Sequence, residues 1–216
     1  MIPIVLVGGG GHCRSVIDVI ASTGKYEIAG ILEKPGVKDD VLNYPVIGTD
    51  DDIPSLQKDG FRFIVTVGHT GNVSVRRRLS EVIDEAGGVQ EVIISPTSWV
   101  SPHARLGAGT VVMHHAVVNA GAIIGKGCII NSQALLEHDV EVGDQVHIST
   151  GAKINGCCRI GDGCFIGSGA VIIHETGVAS DCIVGAGAVV IDDIGEPGTY
   201  AGNPCRRIVR GRRDRG

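Results

Sequence analysis

Residues Leu135-Leu136-Glu137-His138-Asp139-Val140 set a histidine between two carboxylates. A carboxylate beside an imidazole fixes its orientation and raises its basicity. Those are the properties a general base needs. A second group of interest opens the chain, where Gly8-Gly9-Gly10-Gly11-His12 follows the apolar run Ile2, Ile4, Val5, Leu6 and Val7. Bare backbone N–H groups at a helix N-terminus favour anions, so this turn suits a phosphate. Glu33, 25 positions after Gly8, has the place of a ribose-binding carboxylate. Cys13, however, stands where a GxGxxG motif needs its third glycine. A redox dinucleotide is therefore disfavoured, and a nucleotide phosphate or nucleotide sugar is the better expectation. A tight turn with no ligand is the plain alternative.

The element that positions the Glu-His-Asp group is a repeat. From Trp99 to Ile194 the chain cycles every six residues, sixteen times, and the second residue of each hexad is Val, Ile or Leu from Val100 to Val190. The sixth residue is small or β-branched, as in Ala104, Thr110, Cys128, Ala134, Cys158, Cys164, Ala170 and Cys182. No α-helix has this period; it predicts a parallel β-helix of short strands. Three hexads make one triangular coil of 18 residues, so residues 18 apart stack, roughly 5 Å from one another. Gly156 then lies one coil above His138, where its uncovered N–H suits a developing oxyanion. Asn131 and His147 are about half a coil away and approach His138 only across a corner or a subunit boundary. Corners need a backbone tolerant of positive φ. Gly107, Gly125, Gly143 and Gly161 are expected there, with Asn119, Asn131 and Asn155 at others. His114, His115 and His174 read as solvated wall residues.

Before the repeat, strands alternate with helices, which implies a small parallel α/β sheet. Strands are expected at Ile2–Val7, Glu27–Leu32 (followed by Glu33-Lys34), Phe61–Val67 and Val89–Ile94. One helix carries Val16, Ile17, Ile20 and Ala21 and stops at Gly24; another carries Val75, Leu79, Val82, Ile83 and Ala86. The expected organisation is an α/β unit over 1–95, a linker Ser95-Pro96-Thr97-Ser98, a β-helix over 99–194 and a tail over 195–216.

The 216 residues are 43% hydrophobic and only 3% aromatic, which suits a solenoid filled by aliphatic side chains. A net charge of −5 argues against a general nucleic-acid binder. The tail opposes that charge with Arg206, Arg207, Arg210, Arg212, Arg213 and Arg215, read either as a solvated end or as an attraction for a polyphosphate such as coenzyme A. Four of the seven cysteines fall at inward hexad positions, which points to packing and reduced thiols in a cytoplasmic protein. Cys157 abuts Gly156 but has no base of its own in sequence. The apolar start lacks a basic leader, and no apolar stretch is long enough to span a membrane.

Taken together, the GGGGH turn, the α/β unit, the hexapeptide repeat, the Glu-His-Asp hexad and the closing Ala201-Gly202-Asn203-Pro204-Cys205-Arg206 resemble the PglD/NeuD-like bacterial sugar acetyltransferases over nearly the whole chain. Periodicity leaves the hand of the coil open; the resemblance implies a left-handed one. It also implies a homotrimer with acetyl-CoA lying along the β-helix between subunits. Within that likeness His138 is similar to the general base and Asp139 to the acid that positions it, although the family often has Glu there. Gly156 resembles the backbone donor to the thioester oxygen, and His147 a second histidine near the acetyl group. Ser168 and Ala186 join His147 and Gly156 as coenzyme-binding positions. His12, Gly10, Gly11, Glu33, Lys34, Asn131 and Glu137 fall to the sugar-nucleotide substrate, with His12 near its phosphates.

The implied reaction is acetyl transfer from acetyl-CoA to the C4 amine of a nucleotide-linked 4-amino-4,6-dideoxy sugar. UDP is the first expectation for the nucleotide and GDP the second, and no metal is needed. The nearest alternative is O-acetylation of a sialic acid or related hydroxyl. A γ-class carbonic anhydrase would recruit His114, His115, His138 and His147, but their spacing fits poorly. A non-catalytic scaffold would leave Glu137-His138-Asp139 unexplained.

Overall fold

The computed structural model describes residues 1–37 and 39–208. Arg210, Arg212, Arg213 and Arg215 therefore lie outside the described residues. The first unit is built on β1 (Ile2–Val7), β2 (Tyr26–Leu32), β3 (Asp40–Val41), β4 (Tyr44–Gly48) and β5 (Arg62–Val65), ordered β3-β4-β2-β1-β5. β1 runs parallel to β2 and β5, and β2 parallel to β4, while β3 and β4 form an antiparallel hairpin at the edge. β1 lies between β2 and β5, and beyond its exposed first two residues Ile4, Val5, Leu6 and Val7 are all buried, as an apolar run covered on both faces requires. Helix α1 (Gly11–Thr23) ends on Gly24 in the left-handed region at φ 63, a conformation glycine adopts without steric cost. A short α2 (Ile53–Lys58) precedes β5, and α3 (Ser74–Glu85) follows it.

The expected face of α3 is corrected. Val75 is 45% exposed, whereas Arg76 and Ser80 are buried beside Leu79 and Ile83. The reason is what α3 packs against. Arg76 donates to Val65 O at 2.7 Å and Val67 O at 2.9 Å on its own unit, and to Gly127 O at 2.9 Å on the β-helix. Its guanidinium ties the two halves together by satisfying carbonyls at strand ends and corners. Burial lowers its pKa to about 10, so it still carries its proton at neutral pH. The expected last strand of the α/β unit also divides. Gln90 makes a single bridge to Phe63, but β6 (Ile93–Ile94) pairs with Val111–Val112 of the β-helix. Along α1, Ala21 faces solvent while Cys13 and Val19 are buried with Val16, Ile17 and Ile20.

Beyond β6 the sixteen hexads each give a two-residue strand, from Trp99–Val100 to Val189–Val190, and through Val171–Ile172 each pairs in parallel with the strand 18 residues on. Three walls result. The first contains Val111, Ile129, His147, Phe165 and Ile183, the second Val117, Leu135, Lys153 and Val171, and the third Arg105, Ile123, Glu141 and Arg159. From Val112 to Val190 the second-position side chains are at most 4% exposed. Each such burial contributes about 1.5–3 kcal/mol. The column cysteines Cys128, Cys158, Cys164 and Cys182 are buried, and burial pushes the Cys128 and Cys164 thiols up to about 12.

Corner chemistry differs from the expectation in one respect. Positive φ belongs to the fifth hexad position, at Gly109, Gly121, Gly127, His115, Gln133, Asp139, Gln145 and Cys157 among others. The third-position glycines are needed for close approach instead. A Cβ on Gly107 would lie 2.5 Å from the Gly125 carbonyl carbon, and one on Gly125 2.6 Å from that of Gly143.

Candidate active site

His138 follows the Leu135–Leu136 strand at the corner leaving the second wall. Its Nδ1 is 3.0 Å from Asp139 Oδ2, and both side chains are more than 60% exposed. Asp139 reaches the ring because its backbone is left-handed at φ 57, which turns the carboxylate back over the corner. One coil on, Gly156 sits beneath the imidazole: a Cβ there would lie 2.6 Å from Nε2 and 2.7 Å from Cε1. Only glycine leaves space for the ring, and among the described residues no acceptor takes the Gly156 N–H. Glu137 does not touch the imidazole; it accepts from Asn119 Nδ2 at 2.7 Å, its stacked partner one coil before. Cys157 is exposed, and a His138 nitrogen, an Asp139 carboxylate oxygen and its thiol all lie within 4.8 Å of one another. The stacking thus gives Cys157 the basic neighbour that its local sequence lacks.

A second constellation lies where the first wall meets the α/β unit. His147 Nδ1 donates to His69 O at 2.7 Å, and its Nε2 is 3.1 Å from Asn131 Nδ2, whose residue follows by two the Ile129 that pairs with His147. Nδ1–H on the carbonyl leaves Nε2 as an acceptor, which matches the amide donor opposite. His69 Nε2 in turn meets Gln145 O at 3.1 Å. His12, the second residue of α1, brings its ring centroid to 6.5 Å from that of His147, and Phe165 closes on His147 at 5.2 Å. His12 Nε2 is buried without a hydrogen-bond partner. Gly11, His12, Ser15, Gly68, His69, Thr70, Asn131 and His147 line a cleft of about 370 Å³. Burial lowers the pKa of His12 to about 3 and those of His69 and His147 to about 4, helped by the Arg76 cation. All three are neutral at pH 7.

At the glycine turn, Glu33 accepts from Gly9 N at 2.6 Å and from Lys34 N at 2.8 Å. Its carboxylate therefore braces the turn. Gly10 and Gly11 are exposed at the start of α1. Glu33 and Lys34 also line a pocket with Leu32, Val67, Asp50 and Arg78, in which Arg78 pairs with Asp50 at 2.7 Å and holds that carboxyl below its usual range. Ser168 and Ala186 are exposed and stack at the corner leaving the first wall, a different corner from that of His138 and Gly156. Ser168 Oγ is 2.9 Å from Ser149 Oγ.

Within one chain, then, the structure gathers His138, Asp139 and Gly156 in one place and His12, Asn131 and His147 in another. Sequence reasoning did not single out His69 or Arg76 as site-forming. The signal for His69 was its position directly after a parallel strand, the edge where sites collect in α/β sheets.

The PglD N-terminal domain model matches residues 3–83, and the bacterial transferase hexapeptide (six repeats) model matches residues 139–174. The chain is 38% identical to the acetyltransferase domain of PglB from Neisseria gonorrhoeae FA1090, with 95% of this chain and 99% of that one covered and a TM-score of 0.90. That domain has also been solved in complex with acetyl coenzyme A. PerB from Caulobacter crescentus, solved in complex with CoA and GDP-perosamine, is 32% identical, with 95% and 97% covered and a TM-score of 0.89. GDP-perosamine N-acetyltransferase of Escherichia coli O157:H7 is 27% identical over 164 residues, 70% of this chain and 69% of that protein. The chain spans only 22% of the length of a further relative, protein L142 of Acanthamoeba polyphaga mimivirus. With both halves matched and the fold shared end to end, this chain belongs to the PglD/NeuD-like family of hexapeptide-repeat sugar acetyltransferases.

Proposed function

We propose that this protein transfers the acetyl group of acetyl-CoA to the C4 amine of a nucleotide-linked 4-amino-4,6-dideoxy sugar. The observation that carries the reading is the His138 ring held over Gly156, with Nδ1 3.0 Å from Asp139. The amine attacks the thioester carbonyl directly. His138 Nε2, the nitrogen facing Gly156, takes the amine proton, and Asp139 stabilises the imidazolium through Nδ1–H. The Gly156 N–H steadies the tetrahedral oxyanion. The intermediate collapses, the thiolate of CoA leaves, and the imidazolium returns its proton to that sulfur. No covalent enzyme intermediate and no metal enters the sequence.

The α/β unit over 1–95 takes the sugar nucleotide, and the β-helix over 99–194 the acyl donor. The phosphates approach the α1 N-terminus at Gly10, Gly11 and His12, whose orphaned Nε2 lines the cleft. The Escherichia coli O157:H7 and Caulobacter crescentus relatives carry GDP-perosamine in their descriptions, and on that ground we favour GDP over the UDP expected from sequence. His138 and Gly156 stand at one corner and Ser168 and Ala186 at another, so a coenzyme touching both sets would bridge two subunits, as in a trimer. Among the described residues no helix is long and apolar enough to cross a membrane. We place the reaction in the cytoplasm, with acetyl-CoA.

The test is turnover of GDP- and UDP-linked 4-amino-4,6-dideoxy sugars, followed as free thiol. Replacing His138 with Ala should lower kcat by about 10²–10⁴-fold. Near-normal turnover in that variant would remove His138 as the base. Silence with both nucleotide series while CoA still binds would favour a hydroxyl acceptor.

A further inference from the structure

We propose that His138, Asp139 and Cys157 form a binding site for a soft divalent cation, Zn²⁺ foremost, and that occupancy switches the acetyl-transfer centre off. Asp139 and Cys157 are both fifth-position residues, 18 apart, with left-handed backbones at φ 57 and 61. They share one column of the corner. The Cys157 N–H donates to His138 O at 3.0 Å, which locks that column against the histidine. One donor atom from each of the three side chains lies within 4.8 Å of the other two. The remaining six cysteines are buried, so Cys157 is the thiol a cation in solution can reach.

The donor set fits the ion. Zinc takes nitrogen, sulfur and carboxylate oxygen at about 2.0–2.3 Å in tetrahedral sites. Ligands on such a site are between 3 and 4 Å apart by geometry, so the three donors must draw together by only about 1 Å. All three side chains are exposed, so solvent-facing movement is open to each. The thiol loses its proton to solvent as the metal–sulfur bond forms. The fourth position remains open to water. Once the imidazole lone pair and the carboxylate are on the metal, neither serves the amine proton. The cation site stands on its own geometry; its effect on turnover rests on His138 acting as the base.

The test uses the whole protein, stripped of metal, and two readouts. Titration with Co²⁺ should give a sulfur-to-cobalt charge-transfer band that saturates at one equivalent and is lost in Cys157→Ser. Zinc should displace the cobalt. In parallel, acetylated product is followed by chromatography, because free CoA thiol itself binds zinc. Micromolar zinc should suppress turnover, EDTA should restore it, and Cys157→Ser should keep its basal rate while becoming about tenfold or more less sensitive to zinc. No sulfur band, or equal zinc sensitivity in Cys157→Ser, would overturn the site. A Cys157-dependent band with undiminished turnover would keep the site and overturn the switch, and with it the assignment of His138 as base.

Discussion

Gly156→Ala isolates the contact on which the proposed chemistry depends. The new methyl would stand 2.6 Å from His138 Nε2, 2.7 Å from Cε1 and 3.2 Å from Cδ2. Ordinary carbon contacts fall at about 3.5–4.0 Å, so the ring must retreat by about 1 Å. Its Nδ1 is 3.0 Å from Asp139 Oδ2, and a further ångström takes that pair out of hydrogen-bond range. Misplacement of about 1 Å costs roughly 10²-fold in rate, and loss of an oriented base about 10²–10⁴-fold. The expected fall in kcat is therefore about 10²–10³-fold. Stability should barely change, by about 0.5 kcal/mol or less, because the His138 side chain is 62% exposed and can swing into solvent. Gly125→Ala is the control. There the methyl meets the Gly143 carbonyl carbon at 2.6 Å, and backbone cannot step aside without opening the coil. That variant should lose about 1–3 kcal/mol and keep its chemistry in the molecules that remain folded. The assays are steady-state thiol release and thermal unfolding of both variants. Gly156→Ala with near-wild-type kcat, or with a Tm loss equal to that of Gly125→Ala, would refute the reasoning.

Arg76→Met should destabilise by about 3 kcal/mol or more, since Val65, Val67 and Gly127 carbonyls lose their donor at a largely buried junction; denaturant unfolding measures it. The buried histidines predict an acid-side loss of stability. Their folded pKa values, about 3 for His12 and about 4 for His69 and His147, lie below the unfolded value of 6.5. Below pH 6.5 the unfolded chain binds protons that the folded chain refuses, so stability falls with pH until the folded values are reached. The slope is about 1.4 kcal/mol per pH unit for each histidine. Tm measured from pH 7 to 4 should show it, and His147→Gln should flatten it by about one third; an unchanged slope would mean His147 is not part of the effect.

The hexad count determined the β-helix, its core and its vertical register, because a period of six repeated sixteen times leaves one way to stack. That register put Gly156 one coil on from His138, against its ring, and adjacency put Asp139 beside it, so the proposed acid–base centre was legible before any fold was known. The backbone at the corners was less so: glycine marks both a close approach and a left-handed turn, and composition does not distinguish Gly125, which needs the first, from Gly127, which adopts the second. Only the tertiary structure decided the other half of the site. His69 meets His147 across 78 positions of chain, and Arg76 meets Gly127 across 51. These contacts follow from how two independently periodic units dock, and no local pattern in either carries that information. For the same reason Val75 faces solvent while the charged residue beside it is buried: hydrophobic periodicity reports an apolar neighbour, and here the neighbour is a row of carbonyl oxygens.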